Sequence, residues 1–226
     1  MNNIRQMLSV YFVAGTQDCL HLAGEPSANL LRILEQALQA GITCFQFRDK
    51  GEHSLEYASE KQKQLAIQCL ALCRQYQVPF IMNDNVPLAL EIGADGIHVG
   101  QSDMAVSEIL AQAQHKFILG LSTNNLADVL AAKDDANIDY LGVGPIFPTH
   151  SKADHSPALG VSFVGELKAL GVEKPLVAIG GINESNAYIL REQGADGVAV
   201  ISAITQSQHL AETIQILAGK KKRIAP

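Results

Sequence analysis

Eight times along the chain a short, mostly apolar run gives way to a loop and then to a stretch with helical spacing. The first run is Val10-Tyr-Phe-Val-Ala14, and the others lie at 44–48, 80–82, 96–99, 118–121, 140–143, 176–179 and 197–200. They do not alternate apolar with polar, which is the pattern of strands buried on both faces. Between them, 28–39 places Leu30, Leu31, Leu34 and Leu38 on one helical face, and Gly41 closes it. A longer helix is expected over 54–76, with Leu65, Cys69, Leu72, Cys73 and Tyr76 on one stripe and Pro79 barring its extension. Further helices are expected from Val86-Pro87 and over 127–133 and 209–217. Strict alternation predicts a parallel sheet, and eight units predict a single-domain α/β fold, a (β/α)8 TIM barrel spanning 1–226. A doubly wound open sheet also alternates, but no G-x-G-x-x-G follows the first strand.

An internal echo accompanies the alternation: Gly93-Ala-Asp-Gly-Ile returns as Gly194-Ala-Asp-Gly-Val, about half the chain later. Either a duplicated half or a recurring helix-to-strand turn produces such an echo. The residues at 218–226, with the basic stretch 220–223, read as a flexible tail.

Composition narrows the partners. Apolar residues make up 47% of the 226, enough for a large core, while aromatics are only 5% and Trp is absent. That leaves little for a base-stacking surface, and a net charge of -6 disfavours polyanions, so nucleic acid is not expected. The four cysteines and seven histidines form no metal-ligand motif. No signal-peptide pattern and no apolar run of about 18 residues appear, so a cytoplasmic protein without membrane contact is expected. The oligomeric state, a homo-oligomer included, is left open.

In a barrel of this kind the reacting groups come from the carboxyl ends of the strands and the loops that follow. Those positions carry Gln46, Arg48 and Lys50, Asn83 and Asp84, Asp103, Ser122 and Thr123, Thr149, Ser151 and Lys152, Gly180 and Gly181, and Ile201 and Ser202. Asp84 and Asp103 follow neighbouring strands. Two carboxylates that close destabilise each other unless a proton or cation lies between them, and Mg²⁺ with oxygen ligands fits. Either residue alone would serve as a helix cap. Arg48, Lys50 and Lys152 bring positive charge from two loops, suited to a ligand with several negative charges such as a pyrophosphate. The loop carrying Lys152 is stiffened by Pro145 and Pro148 and ends in the hydroxyls of Thr149 and Ser151. Gly180, Gly181 and Ser202, after the seventh and eighth strands, suit a second, monophosphate site, though a glycine pair also serves a tight turn.

Taken in order, several stretches resemble the thiamin-phosphate synthase family. They are Gln46-Phe-Arg-Asp-Lys50, Asn83-Asp84, His98-Val-Gly-Gln-Ser-Asp103, Gly120-Leu-Ser-Thr123, Gly142-Val-Gly-Pro-Ile-Phe-Pro-Thr149 through Lys152, Ala178-Ile-Gly-Gly-Ile182 and Val200-Ile-Ser-Ala203. The set covers nearly the whole chain. The resemblance implies a transferase of thiamine biosynthesis, joining 4-amino-2-methyl-5-pyrimidinylmethyl diphosphate to a thiazole phosphate with release of pyrophosphate. It implies that Arg48, Lys50 and Lys152 hold the diphosphate. Asp84 and Asp103 hold Mg²⁺, with Asn83 beside the same group. Gln46 reads the aminopyrimidine edge and Ser122 lies close to the pyrimidine. Thr149, Ser151, Gly180, Gly181, Ile201 and Ser202 surround the thiazole phosphate.

The implied mechanism is dissociative. A thiazole tautomerase resembles the same family but has no need of the diphosphate site, and a non-catalytic phosphate-binding barrel would not need the full set. Phe147 and Ser151 depart modestly from the family pattern. Asp49 takes no role, and 153–159, with His155, is expected to form a mobile flap.

Overall fold

A computed structural model describes residues 4–113, 117–149 and 157–220. Eight strands form a closed parallel barrel in sequence order: β1 (Val10–Ala14), β2 (Cys44–Phe47), β3 (Phe80–Asn83), β4 (Gly96–Val99), β5 (Ile118–Thr123), β6 (Tyr140–Val143), β7 (Leu176–Ile179) and β8 (Gly197–Val200). The ring closes through β8 and β1, where Tyr11 pairs with Ala199. The helices are α1 (Ile4–Met7), α2 (Pro26–Ala40), α3 (Ser59–Gln75), α4 (Val86–Ile92), α5 (Val106–Gln112), α6 (Leu126–Ala132), α7 (Ser162–Ala169), α8 (Ala187–Glu192), α9 (Ser202–Thr205) and α10 (Leu210–Leu217). The expected (β/α)8 barrel is therefore the fold, with two helices after β8.

Strand alternation divides the apolar residues into two cores. Val10, Phe12, Phe45, Phe47, Phe80, Met82, Leu141 and Val198 face outward and pack beneath the helices. Tyr11, Val13, Cys44, Ile81, Tyr140, Val177 and Ala199 face inward and, with Met7 and Leu8, fill the barrel. Because both faces are covered, the strands read as continuous apolar runs.

The echo at Gly93 and Gly194 belongs to a turn used at every even strand. Thr43, Asp95, Asp139 and Asp196 each lie just before an even strand. Their side chains accept the N–H that opens the preceding odd strand: Val10, Phe80, Leu119 and Leu176, at 2.8–2.9 Å. Each returns its own backbone N–H to the carbonyl of the same residue, at 2.8–3.0 Å. These reciprocal pairs brace the amino-terminal end of the barrel, away from the carboxyl ends of the strands. The recurring turn accounts for the echo, since Thr43 and Asp139 do the same work without the Gly-Ala-Asp-Gly wording.

The helix expected over 54–76 begins only at Ser59, and the physical reason is Asp49. This carboxylate is 6% exposed. It accepts from the Thr16 N–H at 2.8 Å, the Thr16 hydroxyl at 2.5 Å, the Leu55 N–H at 3.0 Å and the Gln62 side chain at 3.2 Å. It draws 50–58 into turns and ties them to the end of β1 and to α3. Arg48 and Lys50, its neighbours in sequence, are thereby turned the other way. At the C-terminus, Ala218, Gly219 and Lys220 bond back to Ile214, Ile216 and Gln215 and close α10. The remainder of the expected tail, 221–226, lies outside the described residues.

Two stability measurements test these braces. Asp139→Ala strands the buried Leu119 N–H and should cost about 1–3 kcal/mol, with Asp139→Asn costing less because an acceptor oxygen remains. Asp49→Ala strands the Thr16 N–H and hydroxyl and the Leu55 N–H, while Gln62 keeps its bond to the backbone carbonyl, and should cost about 3 kcal/mol or more. Urea midpoints at unchanged slope report both, and a loss under about 0.5 kcal/mol would show that water replaces the carboxylate.

Candidate active site

The carboxyl ends of the strands open into one cavity of about 710 Å³. Arg48 and Lys50 reach it from the loop after β2, Asn83 and Asp84 from the end of β3, and Asp103 from the loop after β4. Ser122 of β5, Thr149 beyond β6, Gly180 and Gly181 after β7, and Ile201 and Ser202 after β8 complete the ring of expected residues. Among the described candidates Gln46 and Thr123 do not line the mouth: Thr123 is fully buried and its hydroxyl donates to the Gly142 carbonyl, while Gln46 lies below the opening. It sits two residues deeper than Arg48, 5% exposed, and its Nε2 donates to the Tyr11 hydroxyl at 2.9 Å. Ser151, Lys152 and His155 lie outside the described residues, as does the flap region over 153–156.

The acidic side is built by strained backbone. Asp84 has a φ of +57°, in the left-handed region that a short polar side chain tolerates better than a branched one. Its N–H is held by the His98 carbonyl at 2.9 Å, and Asn85 caps α4 by accepting from the Leu88 N–H at 3.1 Å. Strain of this kind persists where surrounding structure over-determines it, and it concentrates at functional sites. The result points Asp84 at Lys50, with Oδ2 2.7 Å from Nζ. Asp103 is held from the other side by the Gly100 N–H at 2.7 Å.

The Asp84 and Asp103 side chains are close enough that the ionisation of each depends on the other. Burial lifts Asp84 above the ordinary carboxylate range against the pull of Lys50, and the contact with Asp103 adds to the lift. Burial acts on Asp103 too, but the hydrogen bonds from Asp84 and Gly100 and the charge on Lys50 outweigh it and hold it low. The hydrogen bond to Asp84 raises Lys50 in turn, so its ammonium stays charged. A paired carboxylate set of this kind, all hard oxygen donors, fits a cation such as Mg²⁺, which keeps most of its waters and takes one or two carboxylates. Among the described residues no group of three or more His, Cys, Asp or Glu is arranged around one point.

On the opposite side, Gly180 and Gly181 have φ values of +101° and +64°. A Cβ on Gly180 would lie 2.6 Å from the Pro145 ring, and one on Gly181 would lie 2.7 Å from Phe147. The glycine pair therefore serves the turn and also admits the β6 loop, which is zipped onto it by Ile146 N–H to the Ile179 carbonyl, 2.9 Å, and Phe147 N–H to the Gly180 carbonyl, 3.0 Å. Leu159 and Gly160, where the chain returns from the flap region, bond to the carbonyls of Pro145 and Ile146 at 2.8 and 3.0 Å. Both ends of that excursion are thus anchored at the mouth.

Among the lining residues without a role in the sequence reading is one that makes a hydrogen bond to an expected site residue. His98 faces inward from β4, and its Nε2 is 2.8 Å from the Ser122 hydroxyl oxygen. Its signal was its place in the strand: in Gly96-Ile-His-Val99 alternation puts Ile97 and Val99 outward and His98 inward, near the carboxyl end.

None of the described helices is long and apolar enough to cross a membrane. The family profile described as "Thiamine monophosphate synthase" matches residues 10–204. The thiamine-phosphate synthase of Mannheimia succiniciproducens is 62% identical over 220 residues, covering 97% of this chain and all of that one. That of Pasteurella multocida is 56% identical over 219 residues, covering 97% and 99%. The solved thiamine phosphate pyrophosphorylase of Pyrococcus furiosus superposes with a TM-score of 0.80 at 29% identity, covering 96% of this chain and 97% of that one. With its barrel, its ring of strand-end residues and full-length relatives all in agreement, this chain belongs to the thiamine monophosphate synthase family.

Proposed function

We infer that the chain is a thiamine-phosphate synthase, a transferase that joins 4-amino-2-methyl-5-pyrimidinylmethyl diphosphate to 4-methyl-5-(2-phosphoethyl)thiazole and releases pyrophosphate. The observation that carries this reading is the sorting of one mouth into two sides. Arg48, Lys50, Asp84 and Asp103 crowd one side, and Gly180, Gly181 and Ser202 line the other. The first side suits a diphosphate, and the second suits a monophosphate held near backbone and hydroxyl groups.

Arg48 grips the diphosphate as a planar fork and Lys50 as a point charge, and the same role is proposed for Lys152, outside the described residues. Asp84 and Asp103 would hold Mg²⁺ with Asn83 beside them, and the chemistry the cation supplies there is neutralisation of charge on the departing pyrophosphate. The pyrimidine sits low in the mouth, beside Ser122 and over Gln46. The C–O bond to the diphosphate breaks first, its electron pair leaving with pyrophosphate. The resulting pyrimidinylmethyl cation is stabilised by the ring's own amino group. The thiazole nitrogen then donates its lone pair to the carbon, while Thr149, Ser151, Gly180, Gly181, Ile201 and Ser202 steady the thiazole phosphate. No side chain need attack or remove a proton, so the protein works by alignment and by neutralising a leaving group. Four buried, reduced cysteines suit action in the cytoplasm on free small molecules.

Incubation with both substrates should release pyrophosphate only when Mg²⁺ is present, and Asp103→Ala should abolish that turnover while the protein stays folded. Full activity in the variant would remove the metal assignment. Thiazole phosphate should raise the melting temperature clearly more than the corresponding thiazole alcohol, and equal protection would reject the second anion site.

A further inference from the structure

Below the mouth a hydrogen-bonded chain crosses the barrel interior. The Gln46 Nε2 donates to the Tyr11 hydroxyl at 2.9 Å, and the Tyr11 and Tyr140 hydroxyls are 2.7 Å apart. The Tyr140 hydroxyl is 3.0 Å from His98 Nδ1, and His98 Nε2 is 2.8 Å from Ser122 Oγ. Five strands thus contribute to one line of polar atoms in a region otherwise filled with apolar side chains. Tyr11 and Tyr140 are fully buried, where a leucine would fill space without needing a partner.

The barrel makes room for this line. Gly120 stands between His98 and Tyr140 in the strand register, and a Cβ there would run into the end of the Tyr140 ring and His98 Nδ1. A Cβ on Gly142 would lie 3.0 Å from His98 Cε1. Positions that ordinarily carry branched residues in a barrel layer are therefore empty so that the two rings meet, their centroids 5.5 Å apart.

The line also has a direction. An amide –NH₂ can only donate, so the Tyr11 oxygen accepts from Gln46, and both phenols are satisfied along the line when Tyr11 gives its own hydrogen to Tyr140. Tyr140 then gives its hydrogen to His98 Nδ1, which must be bare. A neutral imidazole bare at Nδ1 carries its proton on Nε2 and donates it to Ser122 Oγ. The serine hydrogen is left to face the cavity that Ser122 lines. Burial raises both phenols well above their ordinary range, so they remain protonated donors.

We propose that Tyr140, backed by Tyr11, is a positioning residue: it fixes His98 as the Nε2–H tautomer and so presents the Ser122 hydroxyl hydrogen to an acceptor atom of the bound pyrimidine diphosphate. Only the substrate half of this statement rests on the synthase reading.

The experiment combines nitrogen-15 NMR of the imidazoles, on the labelled full chain at mildly alkaline pH, with steady-state kinetics. The His98 signals are identified by their loss in His98→Gln. Wild type should show a bare Nδ1 and a protonated Nε2. Tyr140→Phe should shift His98 toward the other tautomer and lower kcat for pyrophosphate release about tenfold, the size of one lost hydrogen bond, with KM for each substrate within about twofold. A protonated Nδ1 in wild type, an unmoved tautomer in Tyr140→Phe, or an unchanged kcat would overturn the proposal. If Tyr140→Phe fails to fold, Tyr11→Phe takes its place, with a smaller shift in the same direction expected and no shift overturning it. Should wild type release no pyrophosphate, the synthase reading fails, while the tautomer measurement still decides the role of Tyr140.

Discussion

Closure of the sheet is the constraint on which everything else depends. Once β8 pairs with β1, no strand edge remains, and each inward side chain competes with seven neighbouring strands for a fixed interior. The amino-terminal end is sealed by Met7 and Leu8 and braced by the Thr43, Asp95, Asp139 and Asp196 turns. Charge and loop length can then accumulate only where the strands end. Closure places residues as distant in sequence as Arg48 and Ser202 around one opening.

At that opening like charges are held in contact on purpose. Asp84 faces Asp103 because a left-handed backbone and the Gly100 N–H leave neither side chain free to turn away. Lys50 offsets one negative charge, and burial and the contact with Asp103 raise Asp84 above the ordinary carboxylate range. Holding the two acids this close costs stability that the surrounding structure absorbs.

The legible parts of the sequence were those set by local pattern. Val10–Ala14, Gly96–Val99, Leu176–Ile179 and Gly197–Val200 begin and end as read, because an apolar run between small or polar residues marks a buried strand. The rim followed from the rule that function gathers after strand ends, so Arg48, Asp84, Asp103 and Ser122 could be named in advance. What escaped notice depends on partners far away. Asp49 gains its meaning from Thr16 and Gln62, and without them 54–58 looks like the start of a helix. Gln46 looked like a rim residue until the register set it a step deeper, against Tyr11. His98 and Tyr140 sit in runs whose composition says only that they are buried.

That last pair explains why a polar line belongs in an apolar interior at all. A core of leucine and valine resists compression, but its side chains have no preferred rotation about a hydrogen bond and cannot tell a serine hydroxyl which way to point. Phenol, imidazole and amide can, because each donor fixes the next acceptor along the row. The line begins at Gln46, directly below the charged loop that Asp49 clamps, and ends at Ser122, on the far wall of the same mouth. Gly120 and Gly142 give up packing so that the line can pass. Interior and rim are thus one construction: the barrel forgoes some apolar contact to gain a polar line that reaches the mouth at Ser122.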